Sequence, residues 1–198
     1  MWDWLISEQG KMLATWLQVF GTLGAILVSL FVTNFTLQRQ RKAAIKSKQD
    51  ERLQNLARGT LLIFNVREDL QILKDASANN GGKKPVRALK HISNLIIEDY
   101  KALRDVMLRD LPNNGALLLM ASASNHIKEI EQAFDAWIAG KHLEEYESLL
   151  HMVISKLDFY GDLLDRYQVE YSKDINALLE IPDQDEIAEQ DRLIRKGA

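Results

Sequence analysis

Four histidines are the side chains in this sequence best suited to acid–base or metal chemistry: His91, His126, His142 and His151. Glu147 precedes His151 by one helical turn, so the two side chains could share a ligand on a helix. A di-metal site in a helical bundle needs a Glu-x-x-His pair on each of two helices plus two further glutamates. The sequence lacks that pattern and therefore predicts no metal site and solvated or locally hydrogen-bonded histidines.

Covalent catalysis and phosphate binding have no matching motif. The chain contains no cysteine, so it has no reactive thiol, disulfide or thiolate metal site. No serine lies in a G-x-S-x-G turn, and Gly81-Gly82 lacks the following Lys-Ser or Lys-Thr of a phosphate-binding loop. The sequence therefore predicts a protein that is not an enzyme and that uses no cofactor.

One pair, Arg87 and His91, resembles a catalytic motif. Ribonucleases of the HEPN family are up-down helical bundles whose Arg and His are separated by four to six residues, whereas three residues separate them here. The resemblance covers the architecture alone and implies RNA cleavage. From residue 49 onward the net charge is 19 − 26 = −7, which repels phosphate. A degenerate HEPN-like ribonuclease is therefore an alternative, and nucleic acid is not an expected partner.

The longest uncharged stretch runs from Met12 to Gln38, a length of 27 residues. A bilayer core of about 30 Å needs roughly 20 helical residues. The stretch is too long for the apolar region of a signal peptide, and no small-x-small cleavage site follows it. We therefore expect a permanent transmembrane helix at 12–38, preceded by a short extracytoplasmic N-terminus at 1–11.

Small and polar residues share one side of this predicted helix. At about 100° of rotation per residue, seven of them fall within an arc of about 80° that contains no large apolar residue, and Gly21 lies beside the arc. We call this set the assembly face, and its members are Thr15, Gln18, Gly21, Thr22, Ala25, Ser29, Thr33 and Thr36.

Three roles fit the assembly face. Gly21, Ala25 and Ser29 form a small-xxx-small series, which favours close self-association of helices. A ring of identical helices would instead turn this face toward a water-filled pore, and a third possibility is packing against a different membrane protein. The lack of charge argues against a proton relay or strong ion selectivity.

Basic residues follow the predicted span closely, at Arg39, Arg41, Lys42, Lys46 and Lys48. Because cationic loops stay in the cytoplasm, we expect a single-pass protein of the cell inner membrane with its N-terminus outside and its C-terminus in the cytoplasm. This juxtamembrane segment, 39–48, should also attract anionic lipid head groups, at about 1 kcal/mol per residue.

Residues 49–180 are expected to form a cytoplasmic helical bundle, followed by an acidic tail at 181–198. Apolar residues recur at alternating spacings of three and four, as in coiled coils, in segments at about 49–76, 86–110, 116–138 and 143–179. Short joints favour antiparallel neighbours, so the predicted fold is an all-α, up-down four-helix bundle. Gly59 either permits close helix contact or weakens its helix, and Asp99 occupies a position where the repeat calls for an apolar residue.

This layout is similar to the accessory membrane proteins of RNA-targeting CRISPR systems and to other phage-defence effectors. Those proteins place one N-terminal spanning helix before a cytoplasmic helical domain, oligomerise, and permeabilise or depolarise the membrane. The similarity concerns topology and size, and it implies an antiviral pore. We expect membrane lipids, further copies of the chain and a protein bound to the bundle as partners. A passive membrane-tethered scaffold or sensor is the other alternative.

Overall fold

The computed structural model describes residues 8–79, 86–139 and 143–174. Within these residues the protein is helical apart from 108–113, Ala139 and Asp174, and it contains no strand, so the predicted all-α class is confirmed. The described helices are α1 Glu8–Asn79, α2 Val86–Met107, α3 Asn114–Ile138 and α4 Leu143–Lys173.

Helix α1 is 72 residues long and continues through the basic residues at 39–48 without interruption. No proline occurs before Pro85, so nothing in this part of the sequence removes a helical hydrogen bond. The chain nevertheless divides into two compact units between Lys48 and Gln49. We refer to them as the N-terminal unit and the C-terminal unit.

The core of the C-terminal unit is built from apolar side chains spaced three and four residues apart on all four helices. On α1 the buried positions are Leu56, Ile63, Val66, Leu70 and Leu73. α2 packs against α3, and α3 packs against α4. The apolar repeats that the sequence indicates are confirmed, because their described members are buried in one cluster.

The connection between α2 and α3 has a clear local cause. Helix α2 ends at Met107, three residues before the predicted limit of 110, and Pro112 prevents a helical hydrogen bond at its own position. The Asn113 side chain then accepts a hydrogen bond from the Ala116 backbone at 2.9 Å, which caps the start of α3. Helix α3 consequently begins at Asn114, two residues before the predicted 116.

Two glycines allow helices of the C-terminal unit to approach closely. A Cβ atom on Gly59 would collide with the Met120 methyl group and lie 2.7 Å from its sulfur. A Cβ atom on Gly161 would lie 2.8 Å from the Phe64 ring. Of the two interpretations of Gly59, the structure therefore supports close helix contact, and the helix is unbroken there.

Tyrosines of α4 belong to this core. Tyr160, Tyr167 and Tyr171 are buried, as the repeat predicts, while the side chain of Tyr146 lies outside the described residues. The Tyr167 hydroxyl accepts a hydrogen bond from the Asn113 side chain at 2.9 Å. Burial raises the pKa of Tyr167, and the neighbouring Tyr171 adds to this effect.

Candidate functional site: the polar face of the first helix

The residues of the assembly face all lie on the N-terminal unit's part of α1, and all are exposed. Because this part of α1 is regular α-helix, the angular grouping derived from the sequence applies to the folded chain. A shallow depression on this side is lined by Thr15, Gln18, Val19, Thr22 and Leu23.

Three threonine hydroxyls of the assembly face bond to their own helix. Thr15 donates to the Lys11 carbonyl at 2.9 Å, Thr22 to the Gln18 carbonyl at 2.8 Å, and Thr36 to the Val32 carbonyl at 2.8 Å. A hydroxyl paired in this way has no donor left unsatisfied in an apolar medium. These three hydroxyls therefore do not require a protein or water partner, although the sequence alone suggested that they would.

Other polar groups of the assembly face keep their hydrogen-bonding capacity. Within the described part of the chain, the side chains of Gln18, Ser29 and Thr33 make no hydrogen bond, and each is exposed. A carboxamide carries two N–H donors and one acceptor, and a hydroxyl carries one donor. These three side chains are the ones able to bond across a helix–helix contact or to water.

The glycines on this part of α1 differ from those of the C-terminal unit. A Cβ atom on Gly21 or on Gly24 would meet nothing within 4 Å. Since glycine leaves the backbone uncovered, the surface around Gly21 and Ala25 is open to the close approach of another helix.

Large apolar side chains cover the rest of this part of α1, and they are exposed. The most apolar 18-residue window has a mean hydropathy of 1.8, and none of it is buried. Phe31, for example, has 72% of its surface exposed. Among the described helices, α1 is the one whose length and composition are sufficient for it to cross a membrane.

Aromatic and basic side chains flank the apolar stretch. The Arg39 guanidinium lies over the Phe35 ring at 4.4 Å from its centroid, a cation–π contact that the sequence pattern did not indicate. Near the other end, Trp16 stacks with Phe20 at 5.9 Å between ring centroids. All five basic residues of the juxtamembrane segment are exposed and therefore accessible to anionic groups.

The histidines are dispersed over the C-terminal unit. His126 pairs with Glu129 at 3.0 Å on its own helix and stacks on Tyr160, while His151 is half-buried and His142 lies outside the described residues. Across residues 8–79, 86–139 and 143–174, no three His, Asp or Glu side chains form a group able to hold a metal ion.

The pair that resembles a nuclease motif lies on α2. His91 is exposed there, and the side chain of Arg87 is outside the described residues. That the chain is not an enzyme stays a prediction.

Asp69 on α1 and Asp99 on α2 are half-buried, and the charge of Asp69 acts on Asp99. Burial raises the pKa of Asp99, and the charges of Asp69 and Glu98 raise it further. The pKa of Asp69 is also raised by burial, then by Glu68, with His91 acting in the opposite direction. The irregular position of Asp99 in the repeat was visible in the sequence, but its neighbour on α1 was not.

Comparisons of this chain with protein-family models, with curated proteins and with solved structures gave no match.

Proposed function

We propose that this chain is a non-enzymatic, single-pass membrane protein whose copies associate through the assembly face. In this proposal residues 12–38 cross the membrane, and the C-terminal unit lies in the cytoplasm, where it self-associates or receives a protein partner. The observation that carries the proposal is an 18-residue apolar stretch of α1 with none of its surface buried.

The first step concerns solvent. Fully burying a large apolar side chain is worth about 1.5 to 3 kcal/mol relative to leaving it in water. Many such side chains are exposed on this stretch of α1, so a state with all of them in water is strongly disfavoured. A hydrocarbon layer covers them without requiring a groove of complementary shape, which supports insertion into a bilayer.

The second step concerns association. Apolar side chains gain little by leaving lipid for protein, so helix contacts in membranes depend on small residues and on polar groups that bond across the interface. The assembly face offers both, since Gly21 and Ala25 leave the backbone accessible and Gln18 and Ser29 have free hydrogen-bonding groups. If several copies close into a ring, the hydroxyl oxygens line a lumen and the output is loss of the membrane barrier.

The third step concerns the C-terminal unit. Its helices are joined by segments of a few residues, as at 108–113, which favours antiparallel neighbours and supports an up-down four-helix bundle. The basic residues at 39–48 support cytoplasmic placement of this unit on the inner membrane and contact with anionic lipid head groups.

The decisive experiment measures the mass of the purified full-length protein in lipid nanodiscs. We expect an oligomer, and we expect Thr22→Leu combined with Ser29→Leu to shift the mass toward the monomer without preventing insertion. Phe20→Leu combined with Phe31→Leu is the matched control, because it places the same number of leucines on the opposite side of the helix. A wild-type protein that is monomeric in lipid contradicts the proposal.

Pore formation needs a separate measurement. Liposomes that contain the wild-type protein should release a trapped dye, whereas liposomes with the Thr22→Leu, Ser29→Leu variant should retain it. An oligomer that releases no dye under any activating condition would restrict the proposal to assembly without conduction.

A second candidate, the passive membrane-tethered scaffold or sensor, is favoured by the hydroxyls bonded within their own helix. Thr15, Thr22 and Thr36 can lie against lipid with their donors satisfied. In that case α1 is an anchor alone. Unchanged mass and unchanged activity in the Thr22→Leu, Ser29→Leu variant would favour this candidate.

A further inference from the structure

An open depression of about 350 Å³ lies where the connection between α2 and α3 meets α1. We call it the α2–α3 depression. A water molecule takes about 30 Å³ of liquid volume, so the depression has room for a ligand of about ten heavy atoms. The apolar part of its wall consists of Met107, Leu111, Pro112 and Leu117. The polar part consists of Arg52, Arg109, Asp110, Asn113 and Asn114. Apolar walls that carry a few polar groups are typical of small-molecule sites.

Side chains of other helices hold this connection in place. Asn55 on α1 is 6% exposed and donates a hydrogen bond to the Asp110 carbonyl at 3.2 Å, while Arg52 lies 3.0 Å from the Asp110 carboxylate. Asn113 donates to the hydroxyl of Tyr167 on α4 at 2.9 Å. The connection is therefore tied to both α1 and α4, and a ligand does not have to order a loose loop in order to bind.

The charged side chains of the wall favour a ligand with a single negative charge. Two arginines and one aspartate line the depression, which leaves one positive charge in excess. Arg52 is paired with Asp110, whereas Arg109 is exposed and its side chain makes no ion pair or hydrogen bond within the described residues. A guanidinium binds a carboxylate through two parallel N–H bonds. The Asp110 carboxylate repels a phosphate dianion more strongly than a carboxylate, because repulsion grows with the charge of the ligand.

The two asparagines of the wall differ in the hydrogen bonds left to them. The Asn113 carboxamide donates to Tyr167 and accepts from the Ala116 backbone, so both of its ends are engaged. Asn114 is exposed, and its side chain makes no hydrogen bond to any described residue. Its amide group can therefore donate to a carboxylate oxygen. Arg109 and Asn114 thus both have free donors for an anion.

We propose that the α2–α3 depression binds a small carboxylic acid with an apolar body. Its carboxylate bonds to Arg109 and Asn114, and its hydrocarbon part covers Leu111 and Leu117. A ligand in this position touches the connection and α3 at once, so it stabilises the C-terminal unit. The proposal depends neither on membrane insertion nor on the assembly face, because every lining residue belongs to the C-terminal unit.

The test uses 3-phenylpropionate as the probe, a water-soluble carboxylate of suitable size, and 3-phenylpropionamide as its uncharged counterpart. Equilibrium dialysis against the full-length protein in nanodiscs measures both dissociation constants, after binding to protein-free nanodiscs has been subtracted. We expect saturable binding of the carboxylate with a Kd about tenfold lower than that of the amide, the difference that a charge-assisted hydrogen bond supplies. The absence of saturable binding at millimolar concentrations would overturn the proposal.

Two arginine variants test where the carboxylate lies. Arg109→Gln should raise the Kd about tenfold. Arg58→Gln serves as its control, because Arg58 is an exposed residue of the C-terminal unit that does not line the depression, and its loss should leave the Kd unchanged. An equal Kd in the two variants would show that the carboxylate is not bound by Arg109 and would refute the assignment.

A pair of neighbouring leucines tests the apolar contact. Leu117→Ser should raise the Kd several-fold and Leu118→Ser should not, because Leu117 belongs to the wall and Leu118 does not. Equal effects would argue against the proposed position of the hydrocarbon part. Inorganic phosphate that displaces the probe as effectively as unlabelled carboxylate would assign the depression to phosphate ligands instead.

Thermal unfolding gives a readout independent of dialysis. The probe should raise the Tm of the wild-type C-terminal unit and leave that of Arg109→Gln unchanged. A shift of the same size in both would contradict the proposal. A protein that is monomeric in lipid but binds the probe in this way would contradict the proposed function alone, so the two proposals fail separately.

Discussion

Glycines on the two parts of α1 have opposite surroundings, and the difference separates the two units of the protein. A Cβ atom on Gly59 would meet the side chains of Met120 and Val106, whereas a Cβ atom on Gly21 would meet no atom within 4 Å. In the C-terminal unit, small residues make room for side chains of the same chain. On the N-terminal unit they leave room that none of the described residues fills, which supports the proposed contact of that surface with lipids or other copies.

The largest expected effect comes from comparing two phenylalanines. Phe134→Ala removes a ring that is 1% exposed in the core and should cost about 3 to 5 kcal/mol of stability. Phe31→Ala removes a ring that is 72% exposed and should leave the stability of the C-terminal unit unchanged. Thermal unfolding of the full chain in detergent, followed by near-UV circular dichroism, measures both. Equal losses would mean that the N-terminal unit contributes to the same core.

Glycine substitutions sharpen the comparison at a smaller scale. In Gly161→Ala the new methyl group lies 2.8 Å from the Phe64 ring, so overpacking of about 1 to 3 kcal/mol opposes a gain in helix propensity of about 1 kcal/mol. We expect a net loss of about 1 kcal/mol. Gly24→Ala meets no atom within 4 Å and should cause no loss. The same unfolding measurement applies, and a stabilised Gly161→Ala variant would show that Phe64 moves aside freely.

An ion pair on the surface of the C-terminal unit should contribute less. The Arg67 Nε lies 2.6 Å from an Asp158 carboxylate oxygen, and both side chains are more than a third exposed. For such a pair we expect a coupling of about 0.5 to 1 kcal/mol at low salt. A double-mutant cycle with Arg67→Ala and Asp158→Ala measures it, and the coupling should fall as salt is added. A coupling that does not change with salt would argue against an electrostatic origin.

The smallest expected effect is a dependence of stability on pH at Asp99. Its pKa is raised above the ordinary 3.8 by burial and by Asp69 and Glu98, so the folded protein holds the proton more tightly than the unfolded chain. Stability is therefore lost as the pH rises from about 4 through the raised pKa. Asp99→Asn should raise the stability at pH 7 and leave it unchanged near pH 3. Denaturant midpoints across this pH range test the sign.

The core was predictable because burial follows helical periodicity. Each described member of the apolar repeats, from Leu56 on α1 to Tyr171 on α4, is buried as the spacing indicates. Helix limits were predictable to within about three residues at α2 and α3, whereas α4 ends at Lys173, six residues before the predicted limit of 179. The difference at α3 has a local cause, since the Asn113 cap starts that helix two residues early.

Contacts between distant polar residues could not be predicted. Arg52 and Asp110 are 58 positions apart, and Tyr167 and Asn113 are 54 apart, so their pairing depends on how whole helices dock. Long polar side chains also accept many partners, and the sequence does not distinguish among them.

The helical placement of the candidate residues was predictable, and their hydrogen bonding was less so. Periodicity places the eight residues of the assembly face on one side of α1. It does not reveal whether a threonine hydroxyl points outward or back to the preceding turn, because both rotamers are available in a helix. The structure decides this at Thr15, Thr22 and Thr36, and it adds the Arg39–Phe35 contact.

The inward-bonded threonine hydroxyls bear on the order of events during biogenesis. In the proposed function, a newly made copy has three threonine donors already bonded to its own helix, which lowers the cost of entering hydrocarbon alone, so insertion does not have to wait for a second copy. Each of these hydroxyls can later rotate away from its carbonyl and bond to a neighbour or to water. If the proposed assembly takes place, delivery to the bilayer and assembly within it are separate stages, and only the second depends on the number of copies that the cell has made.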